Sequence, residues 1–258
     1  MTGGQVEMVG FPQFWQTAYD LRPAAFEANH ALDKVQMPLL RKPVKNPLQA
    51  VIRHMTRINL NSLSALVTLV MNGHGSDAMR IARTMWETAV TADYLKRNPA
   101  EIDDYLDYYH IFRKRYIDSI PKDKLPKEYT SEKLAEIQAE YDRVVHRFTD
   151  KGRIRNSWSK ISIYKMAEHV GRQDEYAQFY GWASGMQHVN AVGLQAQTEE
   201  GGVEVDIPPS TRWILTALIV GQEATLSVVD DYNAVAGHGM EKEIEEARQV
   251  FKKAWDLK

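Results

Sequence analysis

The stretch Ser76–Arg97, SDAMRIARTMWETAVTADYLKR, decides the fold class of this chain. Its apolar residues Met79, Ala82, Trp86, Val90 and Tyr94 recur every three or four positions, the repeat of a helix with one buried face. Ser76 or Asp77 supplies an N-cap, and Gly73-His74-Gly75 just ahead stops the preceding element. That element, Leu48 to Met71, carries the same repeat. Strict apolar–polar alternation is nearly absent from the chain, so the expectation is all-α: a single-domain multi-helix bundle of about nine helices.

Working outward, a first helix is expected from Pro12 towards Lys34, burying Phe14, Ala18, Leu21 and Ala25. The three prolines between Met37 and Pro47 mark a connection. Asn98-Pro99-Ala100-Glu101 reads as a cap, a first-turn proline and a capping-box carboxylate, opening a helix to about Ile120. A charged loop, Pro121 to Glu128, leads to an amphipathic helix from Ser131 to Asp150 with Leu134, Ile137, Tyr141 and Val145 on one face. The segment from Lys151 to Lys160 reads as irregular. Short helices follow at Ile161 to Val170 and at Asp174 to Asn190. Val203, Val205 and Ile207 alternate with acids after Gly201-Gly202, which allows one small β-hairpin there. Pro208-Pro209-Ser210 opens a long helix to about Val235, and Met240 to Leu257 closes the chain with Ile244, Ala247, Phe251 and Trp255 as its stripe.

The chain has 258 residues, 44% hydrophobic and 26% charged, so a substantial core is expected in residues 11–258 and disorder only in residues 1–10. A net charge of −2 leaves no global basic field for nucleic acid or acidic lipid, so any such contact must be local. Without a single cysteine, disulfides, thiol catalysis and sulfur-based zinc sites are excluded. The N-terminal residues lack the apolar run of a secretion signal. Leu60 to Met71 and Trp213 to Val220 fall short of the roughly 20 residues a membrane helix needs. The expected location is the cytoplasm, with no membrane contact.

Two four-residue spacings carry candidate chemistry. Tyr180, Ser184 and His188 would line one helical edge, and Arg83 and Glu87 another. If the edges face each other, His188 can act as general base, Ser184 as nucleophile or ligand contact, Glu87 as the group orienting the imidazole, and Arg83 as the holder of an anion, with Tyr94 nearby. The competing reading is an interhelical ion-pair network of Arg83 and Glu87 with Tyr180 and His188 that fixes which helix packs on which. A third cluster, Lys151-Gly-Arg153-Ile-Arg155-Asn-Ser-Trp158-Ser-Lys160, joins cations to a tryptophan and can grip a phosphate while stacking a base. Glu27 with His30 and Asp107 with His110 have the spacing of di-metal bundle sites, but supporting glutamates are missing, and neither metal nor cofactor is expected.

The segment from Arg83 through Glu87 to Tyr94-Leu95 and Asn98-Pro99, followed by Trp158, the Ile163 to Gly171 helix and the run Tyr180, Ser184, His188, Asn190, resembles an uncharacterised bacterial helical family, domain of unknown function 5677. The resemblance spans roughly Gly73 to Leu194, taken on the order and spacing of the motifs together. It implies a helical bundle and no established activity. The reading carried forward is a polar pocket binding a small anionic ligand, with hydrolysis as an option. Two alternatives stand beside it: a non-catalytic assembly module, a homo-oligomer included, with Trp213, Phe251 and Trp255 as its surfaces, and a nucleic-acid-binding or nuclease component using residues 151–160.

Overall fold

The computed structural model describes residues 19–187 and 211–257. Among them the chain is all-α apart from one two-stranded hairpin. The described residues divide into two compact units, one of those up to Lys96 and from Met166 onward, the other Arg97–Lys165.

The first unit opens with α1 (Pro23–Leu40), α2 (Pro47–Met71) and α3 (Gly75–Arg97). The later part of the unit adds α6 (Ile163–Val170, begun in the second unit), α7 (Gln173–Glu175), a π-helical turn Tyr176–Tyr180, α8 (Gly181–Gln187), α9 (Ile214–Ala236) and α10 (Glu241–Ala254). α9 is central and packs on α1, α2 and α10. Gly221 permits the close approach: a Cβ there would lie 2.9 Å from Leu66 Cδ1 and 3.5 Å from the Met85 sulfur. Buried amides tie the helices. Gln222 donates to the Ala25 carbonyl at 2.6 Å and accepts from the Trp255 indole at 2.7 Å, joining α1, α9 and α10. Such groups are buried because they are satisfied.

The second unit holds α4 (Ile102–Asp118) against α5 (Ser131–Val144), which Thr130 caps by accepting from Lys133 N at 3.3 Å. A small core of Ile111, Val144 and Phe148 lies between them, ringed by Tyr108, Tyr141, Val145 and Ile154. Thr149–Asp150 and Arg153–Ile154 then pair antiparallel.

Several local expectations need correction. The helix expected from Pro12 to Lys34 is interrupted: Arg22 is extended at φ −159°, and Pro23, lacking an N–H to give, starts α1 afresh. α1 then runs through Pro38 to Leu40, beyond the expected start of the connection at Met37, because Val35 and Leu39 are buried and hold the last turn. The irregular segment expected from Lys151 is a hairpin. Lys151 and Gly152 both have positive φ, 47° and 75°, the pattern of a two-residue type I′ turn. Asn98 stands at the N-cap and Pro99 in the first turn as expected, but the turn Pro99–Glu101 is 3₁₀ and the Asn98 side chain makes no cap bond to it. The hairpin expected near Gly201 lies outside the described residues. No helix among the described residues is long and apolar enough to cross a membrane.

Candidate functional site

One edge of α3 in the first unit carries Arg83, Trp86 and Glu87, and the π-helical turn Tyr176–Tyr180 lies against it. The Arg83 guanidinium donates to the Tyr180 hydroxyl at 2.6 Å and sits 4.6 Å from the centre of its ring. The same Nη2 is 2.8 Å from Glu87 Oε1, and the Tyr180 hydroxyl donates to that same oxygen. One carboxylate oxygen therefore receives two donors. Burial, followed by the bond to Glu87, pushes the Tyr180 hydroxyl up to about 12, so it stays a donor across the physiological range.

Trp86 extends the arrangement. Its indole donates to Glu175 Oε2 at 2.6 Å, and its ring lies 5.2 Å from Tyr180 and 6.1 Å from Tyr176. Tyr176 and Tyr180 stack at 4.7 Å. The three rings and the guanidinium form one contiguous surface, with aromatic pairing and cation–π contact adding to the hydrogen bonds.

The structure thus brings together Arg83, Glu87 and Tyr180. Ser184, one turn beyond Tyr180 on α8, is half-buried. His188 lies outside the described residues. Tyr94, two turns beyond Glu87, is buried with its ring edge-on to His169 at 5.4 Å.

In the second unit, Arg155 donates to the Trp158 carbonyl at 3.2 Å and the Arg147 carbonyl at 2.9 Å, with its guanidinium over the Phe148 ring. Trp158 stands edge-on to Tyr105 at 5.2 Å. Both are engaged in holding the hairpin to the helices, whereas Lys151 and Arg153 are exposed beside a hollow of about 540 Å³. Asp107 is held by Arg143 at 3.1 Å and by Arg147. Glu27 and His30 line a groove of about 740 Å³ with Lys34 and Glu243. Among the described residues no three His, Asp or Glu side chains gather as a metal site.

The C-terminal helix was expected to offer an assembly surface. Instead Phe251 is buried, and Trp255 is bonded to Gln222 with Arg22 over its ring, because the apolar stripe of α10 packs on α1 and α9. Two other features escaped the sequence reading. Leu106, Tyr109, Phe112 and Tyr116 form an exposed stripe on α4, signalled by their spacing of three, three and four. Glu223, Asp230 and Asp231 sit on the otherwise apolar α9, and acids in such a helix signal buried partners.

These features define an all-α bundle protein with a polar clamp between α3 and the π-helical turn. The chain belongs to a family of unknown function, DUF5677, whose model matches residues 49–203. No curated protein and no solved structure matches the chain.

Proposed function

We propose that this protein is a non-catalytic helical assembly module whose working face is the aromatic stripe of α4, paired with α4 of a second copy. The observation that carries the reading is the exposure of four large apolar side chains along one line: Leu106 at 42%, Tyr109 at 57%, Phe112 at 63% and Tyr116 at 53%. A full aromatic side chain presents about 150–250 Å². Three at half exposure with one leucine give roughly 300–450 Å² per copy, the size of the largest apolar patch on a typical monomer, a patch that often serves binding. Doubled across a two-fold axis, that area suffices for the dry centre of an interface of about 1,200–2,000 Å².

Charge favours an identical partner. α4 runs from acids at Asp103, Asp104 and Asp107 to cations at Arg113, Lys114 and Arg115; Asp104, Asp107, Lys114 and Arg115 are engaged within the chain, so Asp103 and Arg113 are the charges that face a partner. An antiparallel two-fold pair sets each half against its opposite. Sedimentation of the full chain tests the reading. The wild type should be dimeric at tens of micromolar and Phe112→Asp monomeric, with equal helicity by circular dichroism. A monomeric wild type, or a dimer that survives Phe112→Asp, overturns it.

A second reading, the binding of a small anion, is favoured by one contact pattern. Arg83 and Tyr180 aim two donors at a single oxygen of Glu87, so a carboxylate of the chain itself fills what would be an oxyanion site. Removing that carboxylate by Glu87→Ala should open the site to acetate or inorganic phosphate, measured by calorimetry. Failure of either anion to bind the folded variant sinks this reading. Hydrolysis there would require His188 beside Ser184, and the site is proposed to work in the cytoplasm.

A further inference from the structure

A second polar cleft in the first unit has a different character. It encloses about 550 Å³, a volume within the range of small-molecule sites, and Asp93, Lys96, Arg172, Glu223, Asp231 and Arg248 line it. Its wall also includes Leu226 and Phe251. Three cations on this wall, Lys96, Arg172 and Arg248, each lie within reach of two carboxylates. Lys96 Nζ bonds Asp231 Oδ1 and lies 3.1 Å from Asp93 Oδ1. Arg172 lies 3.3 Å from Glu223 and 3.7 Å from Glu175. Arg248 lies 3.0 Å from Asp230 and 3.2 Å from Glu245. Lys252 stands at the rim.

The decisive atom is Asp231 Oδ2. The side chain is 5% exposed, its other oxygen is taken by Lys96, and Oδ2 has no hydrogen-bond partner. A buried carboxylate oxygen without a donor carries a desolvation cost that only an N–H or O–H can remove. Lys96 and Arg248 are already divided between acids, and Arg172 Nη1, though without a hydrogen-bond partner, is drawn toward Glu175 at 3.7 Å, so the missing donor is best supplied with a positive charge. An apolar wall beside the acid suits a short alkyl chain.

We infer that this cleft binds a small organic cation, a primary amine or short diamine, whose ammonium group donates to Asp231 Oδ2 while its methylenes lie against Leu226 and Phe251. The alternative of a metal ion is disfavoured by the chemistry present, since Lys96 already occupies the space between the two aspartates.

The pH response follows from the same geometry. Burial raises Asp231 to about 6, with Lys96 opposing and Asp93 adding to the rise. Glu223 is raised by burial and by Glu175, with Arg172 and Arg248 opposing. The remaining charged groups on the cleft, Asp230 and Lys252, complete the set from α9 and α10. An ammonium group favours the ionised carboxylate, so affinity should increase as pH rises through about 6 and fall about tenfold per unit below it.

Calorimetry of the full chain with putrescine, methylammonium and inorganic phosphate tests the assignment. Putrescine should bind the wild type, bind at least about tenfold more weakly at pH 5 than at pH 7.5, and lose measurable affinity in Asp231→Asn. Glu223→Gln, a more peripheral change, should weaken binding less. Thermal melting confirms that each variant is folded. Absence of putrescine and methylammonium binding by the wild type, undiminished binding by folded Asp231→Asn, or preference for phosphate would each overturn the inference. None of these results bears on the α4 stripe, so the assembly reading stands or falls separately.

Discussion

Tyr180 shows how much one hydroxyl can do when its neighbours are fixed. It accepts from Arg83, donates to Glu87, and places its ring between Trp86 and Tyr176, so the α3 edge and the π-helical turn meet in one geometry. Tyr180→Phe keeps the rings and removes the bridge, leaving Arg83 and Glu87 to pair alone. The expected cost is about 1–2 kcal/mol in urea unfolding at pH 7. The pH dependence has a definite sign. A phenol raised from its ordinary value of 10.0 to about 12 contributes its stability in full below pH 10 and loses it as pH climbs toward 12. The difference between wild type and Tyr180→Phe should therefore shrink only in strongly alkaline urea titrations. The four-residue spacings of Arg83 with Glu87 and of Tyr180 with Ser184 were legible in the sequence, and that the two edges face each other was an expectation built on them; packing alone decided it, because local periodicity carries no information about which edges meet.

At the scale of the element, α4 separates packing from surface within two consecutive residues. Ile111 is fully buried against Val144 and Phe148, whereas Phe112, turned by one helical step, is exposed. Ile111→Ala should destabilise the second unit by about 2–5 kcal/mol. Phe112→Ala should leave the monomer within about 0.5 kcal/mol, the usual range for a surface change. Denaturant melts at submicromolar concentration make the comparison, and a larger loss for Phe112→Ala would show that the stripe is core. The hairpin after α5 teaches a related lesson. Asp150-Lys151-Gly152-Arg153 contains a turn signal, but strands of two residues are too short for alternation to announce them.

For the whole molecule, assembly through α4 predicts a melting temperature that rises with protein concentration, since only the folded chain can pair. A tenfold dilution series by differential scanning calorimetry should shift the wild type and leave Phe112→Asp unmoved. What the sequence determined alone was the class of structure: the three-and-four repeat of Ser76–Arg97, carried through most of the chain, commits it to helices, and the ordered motifs placed it in its family. What the tertiary structure decided was which polar edges found partners. Lys96 and Asp231 are 135 positions apart, yet share a bond, while Tyr109, Phe112 and Tyr116 of α4 stay exposed. Helical propensity acts over a few residues and is written in the local pattern. Burial depends on every surface brought alongside, and it exists only once the helices have packed.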